Sequence, residues 1–246
     1  MKTKILSISL MTVLLSLVIT SCEKEKKDEN PNQQQNMTPT PAPPDAEGVL
    51  VNVKLLNTQS TPVGDIEIEF GGAAAYFPDA SGKFLDAGEI MIDQKYKLKK
   101  QTGAMENYYF YEQSSSDLTG IEYGSQIKWS VSGSSAVQAF DYTISGSMPT
   151  VGKITTTGSL SKSGCSISVS SVTGADSVMF MIGGKIKYRP GNATTCQFTA
   201  DDMKDVGTGP QLVQVLPFKM IKVPINNKKY YFVREVSRSM MMDVVN

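Results

Sequence analysis

The 246-residue chain carries 24 Lys and Arg against 24 Asp and Glu, three cysteines and no histidine, with 40% hydrophobic and 8% aromatic residues. Without histidine there is no Ser-His-Asp or Cys-His nucleophile, no imidazole base and no His-ligated zinc or haem. Balanced charge lacks the basic footprint that nucleic-acid binding needs, and no cofactor, metal site or catalytic residue is expected.

The chain starts with Lys2 and Lys4, then an apolar run from Ile5 to Ile19 broken only by hydroxyls, then Ser21 before Cys22. Such a run is shorter than the roughly 20 residues that span a bilayer as a helix, so 1–21 reads as a cleaved secretory signal. The stretch Ile19-Thr20-Ser21-Cys22 resembles the lipobox of bacterial lipoproteins: an aliphatic residue, two small residues and a cysteine. That resemblance implies lipidation of Cys22, which becomes the first residue of the mature chain, and anchoring in a membrane. Glu23, in place of the inner-membrane retention residue of that family, points to the outer membrane. The charged run from Glu23 to Glu29 resembles the tethers of surface-exposed lipoproteins, and it is equally readable as a solvated charge run.

From Asn30 to Ala46 prolines alternate with Gln and Asn and almost nothing is apolar. Such a stretch cannot offset its ordering entropy by burial, so 22–46 is expected to be a disordered tether reaching on the order of 25–30 Å.

From Glu47 onward apolar residues recur at every second position. Ile66, Ile68 and Phe70 alternate with acids; Ile127, Trp129 and Val131 alternate with Lys128 and Ser130; Phe140, Tyr142 and Ile144 alternate with polar residues. Each pattern predicts a strand with one dry and one wet face, with Trp129 inside. Turn signals lie at 78–82, 133–135, 183–184 and 226–227. The expected fold class is all-β, an antiparallel sandwich. Its length suits two packed immunoglobulin-like domains, 47–150 and 151–246, with one larger sandwich as the alternative. The one good helix start, Thr199-Ala200-Asp201-Asp202, predicts a capping box and one or two turns.

Some strands are apolar on both faces. In Tyr108-Tyr109-Phe110-Tyr111 and in Tyr230-Tyr231-Phe232-Val233 either parity sends aromatic rings away from the core. Domain packing covers them, or they form a surface. The second reading makes Tyr108, Tyr109, Phe110, Tyr111 and Tyr123 the candidate ligand surface for a glycan or protein.

Cys165 and Cys196 are in phase with apolar neighbours, and an exported pair invites a disulfide; two buried free thiols are the alternative. Ser125-x-x-Lys128 has the spacing of a Ser-Lys dyad, but the two side chains would leave a strand on opposite faces. Glu67 and Glu69 share a face and read as solvated rather than as an acid and base. Lys95, Lys97 and Lys99 form a stripe that suits an edge-strand guard. The expected function is therefore a non-catalytic, lipid-anchored binding module for a glycan or an envelope protein. The alternatives are a structural accessory subunit of an envelope complex and a histidine-independent hydrolase.

Overall fold

The computed structural model describes residues 43–61, 64–103, 105–113 and 119–246. The expected signal segment, Cys22 and nearly all of the expected tether lie outside the described residues. The protein is mostly β, 58% strand and 2% helix, in several sheets that are mostly antiparallel.

The described part opens on two long strands, β1 (Gly48–Thr61) and β2 (Gly64–Tyr76), paired as an antiparallel hairpin over their whole length. Seven short strands follow: β3 (Ile90–Ile92), β4 (Tyr96–Lys97), β5 (Lys99–Lys100), β6 (Tyr109–Phe110), β7 (Gln126–Val131), β8 (Phe140–Ser145) and β9 (Thr150–Val151). Then come β10 (Leu160–Ser161), β11 (Gly164–Ser168), β12 (Val172–Thr173), β13 (Ser177–Ile182), β14 (Lys185–Pro190) and β15 (Thr195–Thr199). The single turn of helix, α1 (Ala200–Met203), leads into the two longest strands, β16 (Gly209–Ile225) and β17 (Lys228–Val245).

The three alternating patterns read from the sequence fall in β2, β7 and β8. Two-residue turns form where the dipeptides predict them: Gly183 and Gly184 join β13 to β14, and Asn226 and Asn227, at φ 51° and 62°, join β16 to β17. Paired left-handed residues match the twist of the flanking strands, which is why Gly and Asn occupy them. The predicted capping box is present: Thr199 Oγ1 accepts from the Asp202 backbone N–H, and Asp202 accepts from that of Thr199.

A nine-stranded sheet organises the molecule, in the order β14-β13-β16-β17-β1-β2-β6-β5, with β10 also pairing β17. The first long strand lies parallel to the last, from Gly48 opposite Tyr230 to Asn57 opposite Ser239. Beyond β1, β10 takes the same flank of β17 at Val244 and Val245.

One face of this sheet carries two cores. In the first, Leu50, Ala73, Ala75, Tyr230 and Phe232 meet Ile90, Ile127 and Trp129 of a four-stranded sheet ordered β4-β3-β7-β8. Trp129 is fully buried, as its parity predicts. In the second, Leu56, Phe180, Val215 and Val236 meet Val151, Ile167, Phe198 and Met203, contributed by β9, the β11–β15 pair and α1. The long strands serve both: β17 gives Tyr230 and Phe232 to the first core and Val236, Met242 and Val244 to the second. Asn52, Arg234 and Arg238 lie buried on the same face at the seam between the cores. Burying each large apolar side chain is worth about 1.5–3 kcal/mol, which fixes the register of every strand that contributes one.

Candidate functional site

The tyrosine surface expected from the sequence is not displayed. Tyr108 and Tyr109 are buried, and Phe110, Tyr111 and Tyr123 are half-buried. The reason is that both faces of β6 are covered. On one side Tyr108 lies against Tyr76 and Phe84, with ring centroids 6.0 and 6.1 Å away. On the other, the Tyr109 hydroxyl donates to Asp86 Oδ1 at 2.7 Å and accepts from the Ala87 N–H at 2.8 Å. Tyr111 meets Tyr96 edge-on, and the Tyr123 hydroxyl donates to the Gly72 carbonyl. These rings are packed within the fold rather than displayed.

Cys165 and Cys196, the pair expected to form a disulfide, are free thiols in this structure. Both belong to the β11–β15 pair, but the register sets Cys165 opposite Phe198 and Cys196 opposite Ile167. The cysteines are thus diagonal rather than direct neighbours, a wider separation than a disulfide prefers. Burial pushes both thiols up from their ordinary pKa, which makes them poor nucleophiles.

The acids are held as anions by internal partners. Lys222 first, then Tyr231, keeps the Asp45 carboxyl well below the usual range, and Lys187 does the same for Asp202. Arg238, 2.6 Å away, lowers Glu67. The Tyr109 hydroxyl, helped by the Gly88 N–H and Lys100, brings Asp86 down to about 2. A general acid needs the opposite shift, so these carboxyls are structural. A cleft of about 330 Å³ lined by Pro44, Asp45, Glu47, Pro78, Leu85 and Tyr230 opens where the chain enters the fold. Its Asp45 is already engaged by Lys222, Lys229 and Tyr231.

A pH dependence follows. Each of these carboxyls is more acidic folded than unfolded, so the stability it contributes is complete above the unfolded range near pH 4 and is lost as pH falls through its folded value. The melting temperature is expected to drop steeply between about pH 4 and pH 2, the window set by Asp86. Asp86→Asn should flatten part of that drop in a calorimetric pH series; an unchanged slope would show that the Tyr109 contact carries no such linkage.

What remains is the other face of the long sheet. Strand alternation puts the odd-numbered residues of β1 and β17 and the even-numbered residues of β2 and β16 there. Val49, Val51, Val53, Met179, Leu216 and Val233 are buried on this face, yet none belongs to either core. Glu235 lies among them, and its charge adds to burial in raising Tyr76, to about 12, and also Tyr108 and Tyr188. Toward the margins the apolar residues come to the surface: Ile66 and Ile68 are about half exposed, and Tyr188, Met241 and Val245 are 41%, 58% and 45% exposed. Of the large apolar side chains exposed among the described residues, only Met105, in a turn, lies off this face.

This placement corrects one reading of β2. Alternation alone assigns Ile66 and Ile68 to a dry face, but the even-numbered residues of β2 lie on the side of the sheet away from both cores, so these two stand about half exposed. Met241 and Val245, flanking Asp243, carry a similar signal that periodicity attributes to a core. The lysines do not form one stripe: Lys95 lies in the turn before β4, Lys97 on β4 of the four-stranded sheet pairs with Glu89, and Lys99 lies on β5 at the end of the long sheet. No cluster of three or more His, Cys, Asp or Glu side chains able to hold a metal occurs among the described residues. Set beside known protein families, curated proteins and solved structures, the chain matches none of them.

Proposed function

We propose that the chain is a non-catalytic lipoprotein of the outer envelope, anchored through Cys22 and lifted from the outer membrane by its tether, that binds another envelope protein. In this reading the folded part is two immunoglobulin-like sandwiches in the loose sense of two layers closing on a core, centred on 47–150 and 151–246 but exchanging strands, since β17 gives Tyr230 and Phe232 to the first core and β1 gives Leu56 to the second. The observation that carries the proposal is the second face of that sheet, where the exposed apolar residues gather around a buried apolar centre. Apolar residues scattered over a surface need no explanation, whereas their concentration on one face of one sheet favours an interaction surface. Its aliphatic and thioether side chains suit a protein better than a sugar, whose rings favour flat aromatic platforms. Permanent assembly as an accessory subunit uses the same face. The low-lying carboxyl pKa values weigh against the hydrolase alternative.

The test uses the full chain in native membranes. Tyr188→Lys combined with Met241→Lys changes two exposed side chains and should leave melting unchanged while abolishing chemical crosslinking to a co-purifying protein. Cys22→Ala should release the same complex from the membrane fraction. A crosslinked complex that survives the lysine pair would overturn the assignment of this face, and a Cys22→Ala protein that still sediments with membranes would overturn the anchor.

A further inference from the structure

We infer that the outer edge of β2, over residues 66–70, is a strand-addition site for an extended segment of a partner protein in which apolar and basic residues alternate. Strand β2 pairs with β1 along one side for its whole length. On its other side β6 covers only Ala74 and Ala75, and Gly71 bridges to Gly120. Among the described residues no strand pairs with the outer side of 66–70, which presents a row of backbone donors and acceptors at a sheet edge, the template that an added strand uses.

The two terminal strands of the long sheet are protected. Strand β14 carries Lys185, Lys187, Arg189 and Pro190, and β5 is two lysines. Charged residues and proline at edges discourage pairing. The edge of β2 shows instead Ile66 and Ile68 at 50% and 49% exposure, on the apolar face described above. Its opposite face shows Glu67 and Glu69, whose side chains remain 44% and 57% exposed despite their ion pairs with Arg238 and Lys54.

Charge decides the occupant. An incoming strand repeats the same alternation, so its side chains beside Ile66 and Ile68 must be apolar and those beside Glu67 and Glu69 basic. A second copy is disfavoured, because antiparallel self-pairing of this segment would bring Glu67 and Glu69 of the two copies together, and like charges across a ladder repel.

The inference rests on the reading of the chain as a binding module, and its test separates the two. Fluorescent ten-residue peptides alternating Val with Lys, or Val with Glu, are titrated against the full chain by anisotropy. The Val/Lys peptide is expected to bind at least about tenfold more tightly, the size of two or so cross-strand charge pairs. Ile66→Lys with Ile68→Lys should abolish binding, Glu67→Gln with Glu69→Gln should erase the preference, and hydrogen exchange should slow within 66–70. If the lysine pair melts early, Ile68→Thr, which keeps strand propensity, replaces it. Equal affinity for both peptides, binding that survives these changes, or protection elsewhere overturns the site. So does a dimer in sedimentation that the lysine pair dissolves, since the occupant is then a second copy. Failure of the peptide arms while Tyr188→Lys with Met241→Lys still abolishes the crosslinked complex removes the edge site alone; a complex that survives that pair while the Val/Lys peptide still binds removes the face alone.

Discussion

Replacing Tyr108 and Tyr109 together by Ala is expected to unfold the protein. Tyr109 is 1% exposed and closes the first core against Phe77, while its hydroxyl serves Asp86 and the Ala87 N–H at once. Tyr108, 8% exposed, fills the space between Tyr76 and Phe84 on the opposite side of the same strand. Truncating a buried aromatic ring to Ala costs about 3–5 kcal/mol. Removing the hydroxyl also leaves a backbone donor and a carboxylate short of a partner, a further ~1–3 kcal/mol. Together these approach the whole net stability of a typical domain, about 5–15 kcal/mol. Tyr109→Phe keeps the ring and isolates the hydrogen bonds, so it should lose only the smaller amount. Urea unfolding followed by near-UV circular dichroism separates the cases. A double variant that keeps a native near-UV spectrum and a nearly unchanged midpoint would place these rings on the surface after all.

The strands that position this core were legible because a period of two is a strong signal over six residues. Ile127, Trp129 and Val131 point inward together, and the Gly-Gly and Asn-Asn turns name their hairpins. The capping box at Thr199 was equally local. What the sequence hides is everything set by partners distant along the chain. Nothing near Gly48 announces that β1 lies parallel to β17, yet that pairing lets one sheet serve two cores. Strand β6 shows the same limit: four aromatic residues in a row indicate that both faces are apolar, but not that Phe84 covers one of them. For Cys165 and Cys196, parity correctly turns both toward the second core, and only the register makes them diagonal. The candidate face escaped notice because Ile66 and Ile68 look like core residues until the pairing with β1 shows that the even positions of β2 face away from both cores.

The seam between the cores leads to the second large effect, in the opposite direction. Arg234 stands on β17 beside Asn52 of β1, 3% exposed, with Nε and Nη1 buried and without a hydrogen-bond partner. Burial pulls its pKa down, and only the charge of Asp176 favours the cation. Gly146 lies against the guanidinium so closely that an added Cβ would come within 2.8 Å of Nη1. Desolvating a cation without satisfying its donors is unfavourable, and exchanging buried charges for apolar groups of similar volume is often neutral or stabilising by about 1–4 kcal/mol. Arg234→Met, which keeps a long flexible side chain at the seam, is therefore expected to raise stability within that range. Arg234→Ala removes the charge but opens a gap between the two cores, so it should recover less or lose stability. Arg238→Met is the internal control: that guanidinium donates to Glu67 and Thr58, and its loss should not stabilise. Urea midpoints at constant slope decide the matter. If Arg234→Met proves less stable than the parent by more than about 1 kcal/mol, the guanidinium is satisfied at the seam by water or an anion and contributes to holding the two cores together.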